Sequence, residues 1–154
     1  VKQLVAMAGK FPEGMEFNVF MDSIASDYVF KNWPGDIIFT GYEIGWEIRT
    51  GLRLMNSEVE NSPVKDVFRI SIPFSEEDKH GRMSWDETAV LIGVYGTEGF
   101  FDTVRGKMIV NPDGSNTWED NPEGKHVYVK QKMAVDRMSM FIEDRMMHPP
   151  IPIK

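Results

Sequence analysis

Two short apolar stretches, Gln3-Leu4-Val5-Ala6-Met7 and Asp36-Ile37-Ile38-Phe39-Thr40, decide the fold of this chain. Each is a bounded run of β-prone residues, which is typical of a strand buried on both faces, and the first run, which ends before Gly9, predicts a central strand. Between them, Asp22 has the side chain of a helix N-cap, and the helix should run to about Asn32, because Trp33-Pro34-Gly35 breaks the pattern. A strand, a helix and a strand in this order predict a parallel pair.

The middle of the chain predicts further helices. One should cover residues 43–50 and close at Gly51, and another should start at Ser62, with a proline at its first position, and run through Ile70. Residues 73–83 are polar and predict a loop. A third helix opens at Ser84 or Trp85, and it should be deeply buried because little polar surface separates its apolar residues, Ala89, Val90, Ile92 and Val94.

The last third of the chain changes to strand pairs. Strands are predicted over residues 101–110, 115–118 and 126–130, joined by Asn111-Pro112-Asp113-Gly114 and Asn121-Pro122-Glu123-Gly124, which both have strong turn chemistry. A final amphipathic helix should cover residues 135–147. No repeat or linker interrupts the sequence, so we expect an α/β protein with one domain, residues 1–154, and an antiparallel C-terminal part.

Composition restricts the classes of partner. The 154 residues are 42% hydrophobic, enough for a sizeable core, and the formal charge is -7 without any Lys/Arg run. That charge argues against nucleic acid or an anionic membrane as the main partner and favours a small neutral or cationic ligand or a metal ion. No apolar run approaches 18 residues, and the absence of cysteine excludes disulfides and thiolate chemistry.

The chain starts with Val1, almost directly before the first predicted strand, which suggests a cut chain. Cytoplasmic localisation is the default expectation. A periplasmic location would apply if a signal peptide was lost with the N-terminus.

Glu16 and Asn18 flank Phe17 in a segment that follows the first strand. In an extended backbone the two polar side chains project to the same side. A carboxylate and an amide placed in this way suit the hydroxyl groups of a sugar. The alternative is that Asn18 closes a turn and Glu16 is solvated.

The residues around this pair resemble a known family. Leu4-Val5-Ala6-Met7-Ala8-Gly9, then Glu16-Phe17-Asn18-Val19, then Asp22 opening a helix, resemble a segment of the inosine-uridine preferring nucleoside hydrolases. Ser84-Trp85-Asp86-Glu87-Thr88-Ala89-Val90 is a second, independent match in the right order. The resemblance implies part of an open, mostly parallel nucleoside hydrolase-like sheet with flanking helices, plus a C-terminal antiparallel hairpin and a final helix.

The resemblance also implies roles for individual residues. Glu16 and Asn18 would bind ribose hydroxyls, Met7 would line the ribose pocket, and Asp86 would be a calcium ligand. Calcium takes oxygen ligands, and an Asp in the first turn of a helix is held rigidly and is compatible with the helix dipole. The alternative for Asp86 is an ordinary acid at a helix N-terminus. Trp85, where many relatives have a histidine, could stack on the nucleobase or pack in the core.

The chain departs from the family in one major respect. The Asp-rich D-x-D-x-x-x-D-D motif, which in the family supplies the other metal ligands and the general base, does not occur in the sequence. The acidic runs 76–78 and 119–120 have neither the spacing nor a preceding buried strand, so they should be solvated surface charge. The three histidines are not expected to be catalytic, so the sequence predicts no catalytic residue in this chain.

Two hypotheses remain open. In the first, the chain is the C-terminal segment of a calcium-assisted nucleoside N-ribohydrolase and is inactive alone. In the second, it is a non-catalytic ribose-binding or scaffold relative that needs a partner chain. In either case a parallel edge of the sheet should be left unpaired, so we expect a homo-oligomer or a missing N-terminal half to cover it.

Overall fold

The computed structural model describes residues 3–148. Its strands are β1 Gln3–Met7, β2 Glu13–Met15, β3 Asp36–Thr40, β4 Arg49–Thr50, β5 Arg82–Met83, β6 Phe101–Val110, β7 Ser115–Asp120 and β8 His126–Gln131. Its α-helices are α1 Phe17–Met21, α2 Ser23–Asn32, α3 Tyr42–Glu47, α4 Leu52–Met55, α5 Pro63–Ser71, α6 Trp85–Tyr95 and α7 Val135–Met146. Within this part of the chain, no helix is both long enough and apolar enough to cross a bilayer.

One six-stranded sheet organises the described residues, with strand order β1-β3-β8-β6-β7-β2. β1, β3 and β8 are mutually parallel, and β6, β7 and β2 continue the sheet in antiparallel fashion. Four of the six strands, β1, β3, β8 and β7, therefore run in one direction. The predicted α/β class, the parallel first pair and the antiparallel C-terminal strands are confirmed.

The core lies on both faces of the central strand β3, as its continuous apolar sequence predicts. Ile37 and Phe39 belong to a cluster with Phe30 of α2, whereas Ile38 belongs to a cluster on the opposite face with Leu91 of α6. This division follows from the two-residue period of a strand, in which successive side chains point to opposite faces. β1 lies at the edge of the sheet, next to β3 alone, so the prediction of a central strand is wrong for β1, which has a neighbour on one side only.

The helix predicted over residues 43–50 is shorter than expected. It ends at Glu47, and Arg49–Thr50 forms strand β4, which pairs with β5. The Thr50 and Ser84 hydroxyl oxygens lie 2.7 Å apart, and this buried hydrogen bond holds the pair together. Gly51 has φ 103° and precedes α4, so its left-handed conformation begins a new helix instead of closing the earlier one.

The segment 73–83 was predicted to be a loop, but it contains regular secondary structure. It contains the end of one 3₁₀ turn, a second 3₁₀ turn at Glu76–Asp78, and β5. Asp78 is buried, and its carboxylate pairs with Arg82 at 3.1 Å. The expectation that all three acids of residues 76–78 are solvated is therefore wrong for Asp78, whose charge is compensated locally.

Helix α6 is less buried than its composition predicts. Leu91 and Ile92 face the core against the sheet, but Val90 and Val94 are 65% and 68% exposed. The helix packs over β1 and β3 and against α3, and Val90 and Val94 lie on its solvent-exposed face. The prediction of a deeply buried helix is wrong because an apolar residue does not by itself specify a neighbour.

Candidate functional site

A pocket of about 360 Å³ opens where β1 and β3 end. Met7 is the last residue of β1, and Tyr42 follows β3 by two residues. Open α/β sheets usually bind ligands at the carboxyl ends of their parallel strands. The pocket is lined by Met7, Glu16, Phe17, Asn18, Tyr42, Arg82, Trp85 and Asp86. The five residues selected from the sequence, Met7, Glu16, Asn18, Trp85 and Asp86, therefore all line one pocket.

Glu16 has a structural task in this pocket. It is 4% exposed and is the N-cap of α1, where its carboxylate accepts hydrogen bonds from the backbone N–H groups of Asn18 at 2.8 Å and Val19 at 3.2 Å. It also accepts the N–H of Gly9 at 3.1 Å. A carboxylate offers about four acceptor positions, so roughly one is left for a ligand.

The backbone of residues 16–18 was predicted to be extended, but only part of it is. Glu16 is extended, but Phe17 begins the short helix α1 and is 69% exposed. A glutamate that caps its own following turn favours this helix. The alternative in which Glu16 is solvated is also wrong, because its side chain is buried. Its assignment to ribose stays a prediction.

Asn18 is exposed at the mouth of the pocket. Its side-chain amide donates to the Met7 carbonyl oxygen and contacts the Met7 sulfur, both at 3.1 Å. These contacts fix the amide plane, and the side-chain oxygen accepts no hydrogen bond from residues 3–148. Asn18 therefore presents an oriented acceptor to a ligand.

An aromatic cluster forms the opposite wall. The Trp85 ring centroid lies 5.6 Å from that of Tyr42 and 6.4 Å from that of Trp46, and Trp85 Nε1 donates to the Tyr42 carbonyl oxygen at 3.0 Å. A side chain at Gly45 would not fit, because its Cβ would lie 2.5 Å from the Trp85 Cα. Trp85 is half-buried, so it packs against α3 and also offers ring surface to the pocket.

Two residues of this wall were missing from the sequence-based site. Tyr42 could have been selected, because it lies two residues after the carboxyl end of a buried strand. Arg82 gave no such signal, since it lies in a segment predicted to be a loop. Its guanidinium lies 5.7 Å from the Trp85 ring centroid and is held by Asp78.

Asp86 lies in the first turn of α6 and is exposed. The start of this helix is fixed by Ser84, whose N–H donates to the Ile48 carbonyl oxygen at 2.9 Å. No group of three or more His, Asp or Glu side chains suitable for a metal occurs among residues 3–148. Calcium needs six to eight oxygen ligands, so the described residues do not form a calcium site by themselves. Asp86 as a calcium ligand stays a prediction.

The titratable groups with shifted pKa values lie outside the pocket. Burial raises the pKa of the Glu87 carboxyl, which is half-buried one residue after Asp86. Burial also lowers the pKa of His126, whose Nδ1 accepts the Met108 N–H at 2.9 Å and whose Nε2 lies 3.0 Å from the Phe30 carbonyl oxygen. With both ring nitrogens bonded to backbone, His126 has a structural role.

The chain is therefore an α/β protein with a pocket at the carboxyl ends of two parallel strands of its sheet. No protein-family model matches the chain, and no curated protein matches its sequence. Among solved structures it is similar to a plant nucleoside hydrolase, the PpNRh1 enzyme, with a TM-score of 0.68, 16% identity and coverage of 96% of this chain. The chain spans about half of that enzyme, 52% of its length. The fold is therefore nucleoside hydrolase-like.

Proposed function

We propose that the pocket at the carboxyl end of β1 binds a ribonucleoside. The observation that carries this proposal is that residues of two separate sequence segments line one pocket, namely Met7, Glu16 and Asn18 from the first segment and Trp85 and Asp86 from the second. Both segments were selected because they resemble nucleoside hydrolase motifs. A similar fold in a plant nucleoside hydrolase supports the same ligand class.

The two walls suit the two parts of a nucleoside. Trp85 and Tyr42 offer aromatic surface on which a planar base can stack. The exposed Asn18 amide oxygen and the Asp86 carboxylate can accept hydrogen bonds from ribose hydroxyls. Glu16 contributes indirectly, since its carboxylate fixes the turn that carries Asn18.

The proposed reaction of the complete protein is hydrolysis of the N-glycosidic bond, in which water replaces the base at the anomeric carbon through an oxocarbenium-like state. The products are ribose and the free base. The described residues contain no metal-binding cluster, and Asp86 is the one exposed carboxylate among the residues that line the pocket. The proposed contribution of this chain is therefore substrate binding, and the chain alone is expected to be inactive.

A second candidate is ribonucleoside binding without catalysis. It is favoured by the hydrogen bonds of Glu16, because three of the acceptor positions of this buried carboxylate are occupied by backbone N–H groups. Asp86 is then the one exposed carboxylate that lines the pocket.

Binding can be measured by calorimetry with inosine and uridine. We expect Asp86→Asn and Asn18→Ala each to weaken binding by about tenfold, the usual cost of one or two lost hydrogen bonds. Asp136→Asn is the matched control, because Asp136 is also an exposed acid in the first turn of a helix but lies in α7. Wild-type chain that binds neither nucleoside would contradict the proposal.

Hydrolysis distinguishes the two candidates. Release of ribose is measured with this chain and with the full-length product of the gene that encodes it, each with calcium present. Hydrolysis by the gene product supports the first candidate, a nucleoside hydrolase. Binding without hydrolysis in that product supports the non-catalytic candidate.

A further inference from the structure

A separate pocket of about 340 Å³ opens at the other end of the sheet. It is lined by Phe30, Lys31, Trp33, Gly106, Lys107, Asn121, Gly124, Lys125 and His126, and we call it the lysine pocket. Trp33 shortly precedes β3 and Lys125 directly precedes β8, so the pocket lies at the amino ends of these two parallel strands. The candidate nucleoside pocket lies at the carboxyl ends, and the two pockets share no residue.

Positive charge is concentrated at the lysine pocket. Three of its nine lining residues are lysines and none is Asp or Glu, although the whole chain has a formal charge of -7. Burial lowers the pKa of His126, and the charge of Lys107 lowers it further, which places this ammonium group near the pocket wall. A cleft lined by one sign of charge attracts ligands of the opposite sign.

The three lysines differ in their contacts. Lys31 Nζ pairs with the Asp27 carboxylate at 2.6 Å, and Lys125 Nζ donates to the Pro34 carbonyl oxygen at 3.3 Å. Lys107 is exposed and takes part in none of the ion pairs formed within residues 3–148. Lys107 is therefore the cation that is most available to a ligand.

The other available polar groups of the pocket are hydrogen-bond donors. Trp33 Nε1 is buried and has no acceptor in the described part of the chain. The Asn121 side-chain oxygen accepts the Glu123 N–H at 3.0 Å, so the amide N–H groups of Asn121 are the part left for a ligand. His126 adds no acceptor, since both of its ring nitrogens are engaged with backbone. A buried N–H without an acceptor is uncommon and indicates a missing water or ion.

We propose that the lysine pocket binds the phosphoryl group of a small molecule. A phosphate monoester carries about -1.5 to -2 charges at pH 7 and three strong acceptor oxygens, which match a cationic pocket of donors. Sites of roughly 300–1,000 Å³ hold small organic ligands, so the volume also accommodates the organic part of an ester. The proposal goes beyond nucleoside binding and concerns a different site.

The indole N–H resonance of Trp33 tests the site by nuclear magnetic resonance. The chain has four tryptophans, and Trp33→Phe identifies the resonance. Millimolar glycerol 3-phosphate or inorganic phosphate, added at constant ionic strength, should shift it downfield, because the N–H then donates to an anionic oxygen. Trp118 is the internal control, since its Nε1 already donates to Asp120 at 3.0 Å and should not respond. Glycerol is the uncharged control ligand.

A lysine variant tests the charge. Lys107→Gln should weaken binding of glycerol 3-phosphate about tenfold, the usual effect of losing one hydrogen bond to a charged group. Lys130→Gln is the matched control, because Lys130 is also an exposed strand lysine without an ion pair within residues 3–148 but does not line this pocket. Its affinity should equal that of the wild-type chain.

The two phosphate ligands distinguish the sources of the phosphoryl group. Tighter binding of glycerol 3-phosphate supports an organic phosphate, whereas equal or weaker binding of the ester supports free phosphate. Three results would overturn the proposal. These are a Trp33 resonance that neither phosphate shifts, an equal shift with glycerol, and equal affinities of Lys107→Gln and Lys130→Gln.

Discussion

Each wall of the candidate pocket carries one carboxylate, and the two carboxylates differ in exposure and in hydrogen bonding. On the wall formed by residues 7–18, the Glu16 carboxylate is buried and accepts three backbone N–H groups. On the wall formed by α3 and α6, the Asp86 carboxylate is exposed, next to an aromatic side chain that is fixed by packing. Two carboxylates in one pocket therefore differ in their surroundings: Glu16 holds the backbone, and Asp86 faces the open pocket.

Burial and hydrogen bonding make the difference between them. A buried carboxylate must be compensated, because an unpaired buried charge is strongly destabilising. Once compensated by the backbone, it becomes part of the fold. An exposed carboxylate has no such requirement, so it can be used for binding at little cost to stability.

The largest expected effect is that of Glu16→Gln. The amide loses the negative charge and offers N–H where backbone donors point, so we expect a loss of about 3 kcal/mol in the free energy of unfolding. Urea denaturation measures this loss. Glu13→Gln is the control, since Glu13 is exposed in β2, and it should change stability by less than about 0.5 kcal/mol. Equal effects of the two variants would remove the distinction between the walls.

The second effect concerns the packing behind Trp85. Gly45→Ala adds a Cβ that overlaps the Trp85 backbone, so we expect about 2 kcal/mol of destabilisation and a displaced indole, seen as altered tryptophan fluorescence. Gly93→Ala in α6 is the counterpart, because a Cβ there has no neighbour within 4 Å in the described structure. That variant should gain up to about 1 kcal/mol from helix propensity. Unchanged fluorescence in Gly45→Ala would mean that the aromatic wall is not fixed by α3.

The third effect is a pH dependence. His126 resembles Glu16 in that the backbone satisfies its polar atoms, and burial lowers its folded-state pKa below the ordinary 6.5. The unfolded chain therefore binds the proton more readily, so this stabilising contribution is complete above 6.5 and is lost as the pH falls from there through the folded pKa. From this group, stability should fall as the pH is lowered below about 6.5.

Nuclear magnetic resonance titration isolates the His126 contribution from that of the carboxylates. Glu43 and Glu87 act in the opposite sense, because their folded-state pKa values are raised by burial. An imidazole midpoint for His126 at or above 6.5 would contradict the prediction.

The smallest effect on stability should come from Asp86→Asn. This exposed acid interacts with the helix dipole of α6, so its loss should cost less than about 0.5 kcal/mol. The same variant should weaken nucleoside binding, as proposed above. A large loss of stability in this variant would place Asp86 with Glu16 among the structural carboxylates.

Much of the fold could be predicted from local pattern. The strands β1 and β3, the Ser62 cap of α5, and the turns that join β6, β7 and β8 depend on residues close in sequence. Helix α1 was not predicted, because it is capped by the Glu16 carboxylate, and this carboxylate was assigned to a ligand. The extent of α3 was wrong because Arg49–Thr50 pairs with a strand more than thirty residues away.

The sequence by itself determined the α/β class, the parallel first pair and five residues that line one pocket. Periodicity and turn chemistry specify these elements locally, and the resemblance to known motifs selected the five residues. Only the tertiary structure decided that Glu16 is engaged with backbone while Asp86 is exposed, and that Val90 and Val94 face outward. Burial and hydrogen-bond partners depend on which distant elements pack together, and a single residue does not encode its neighbours.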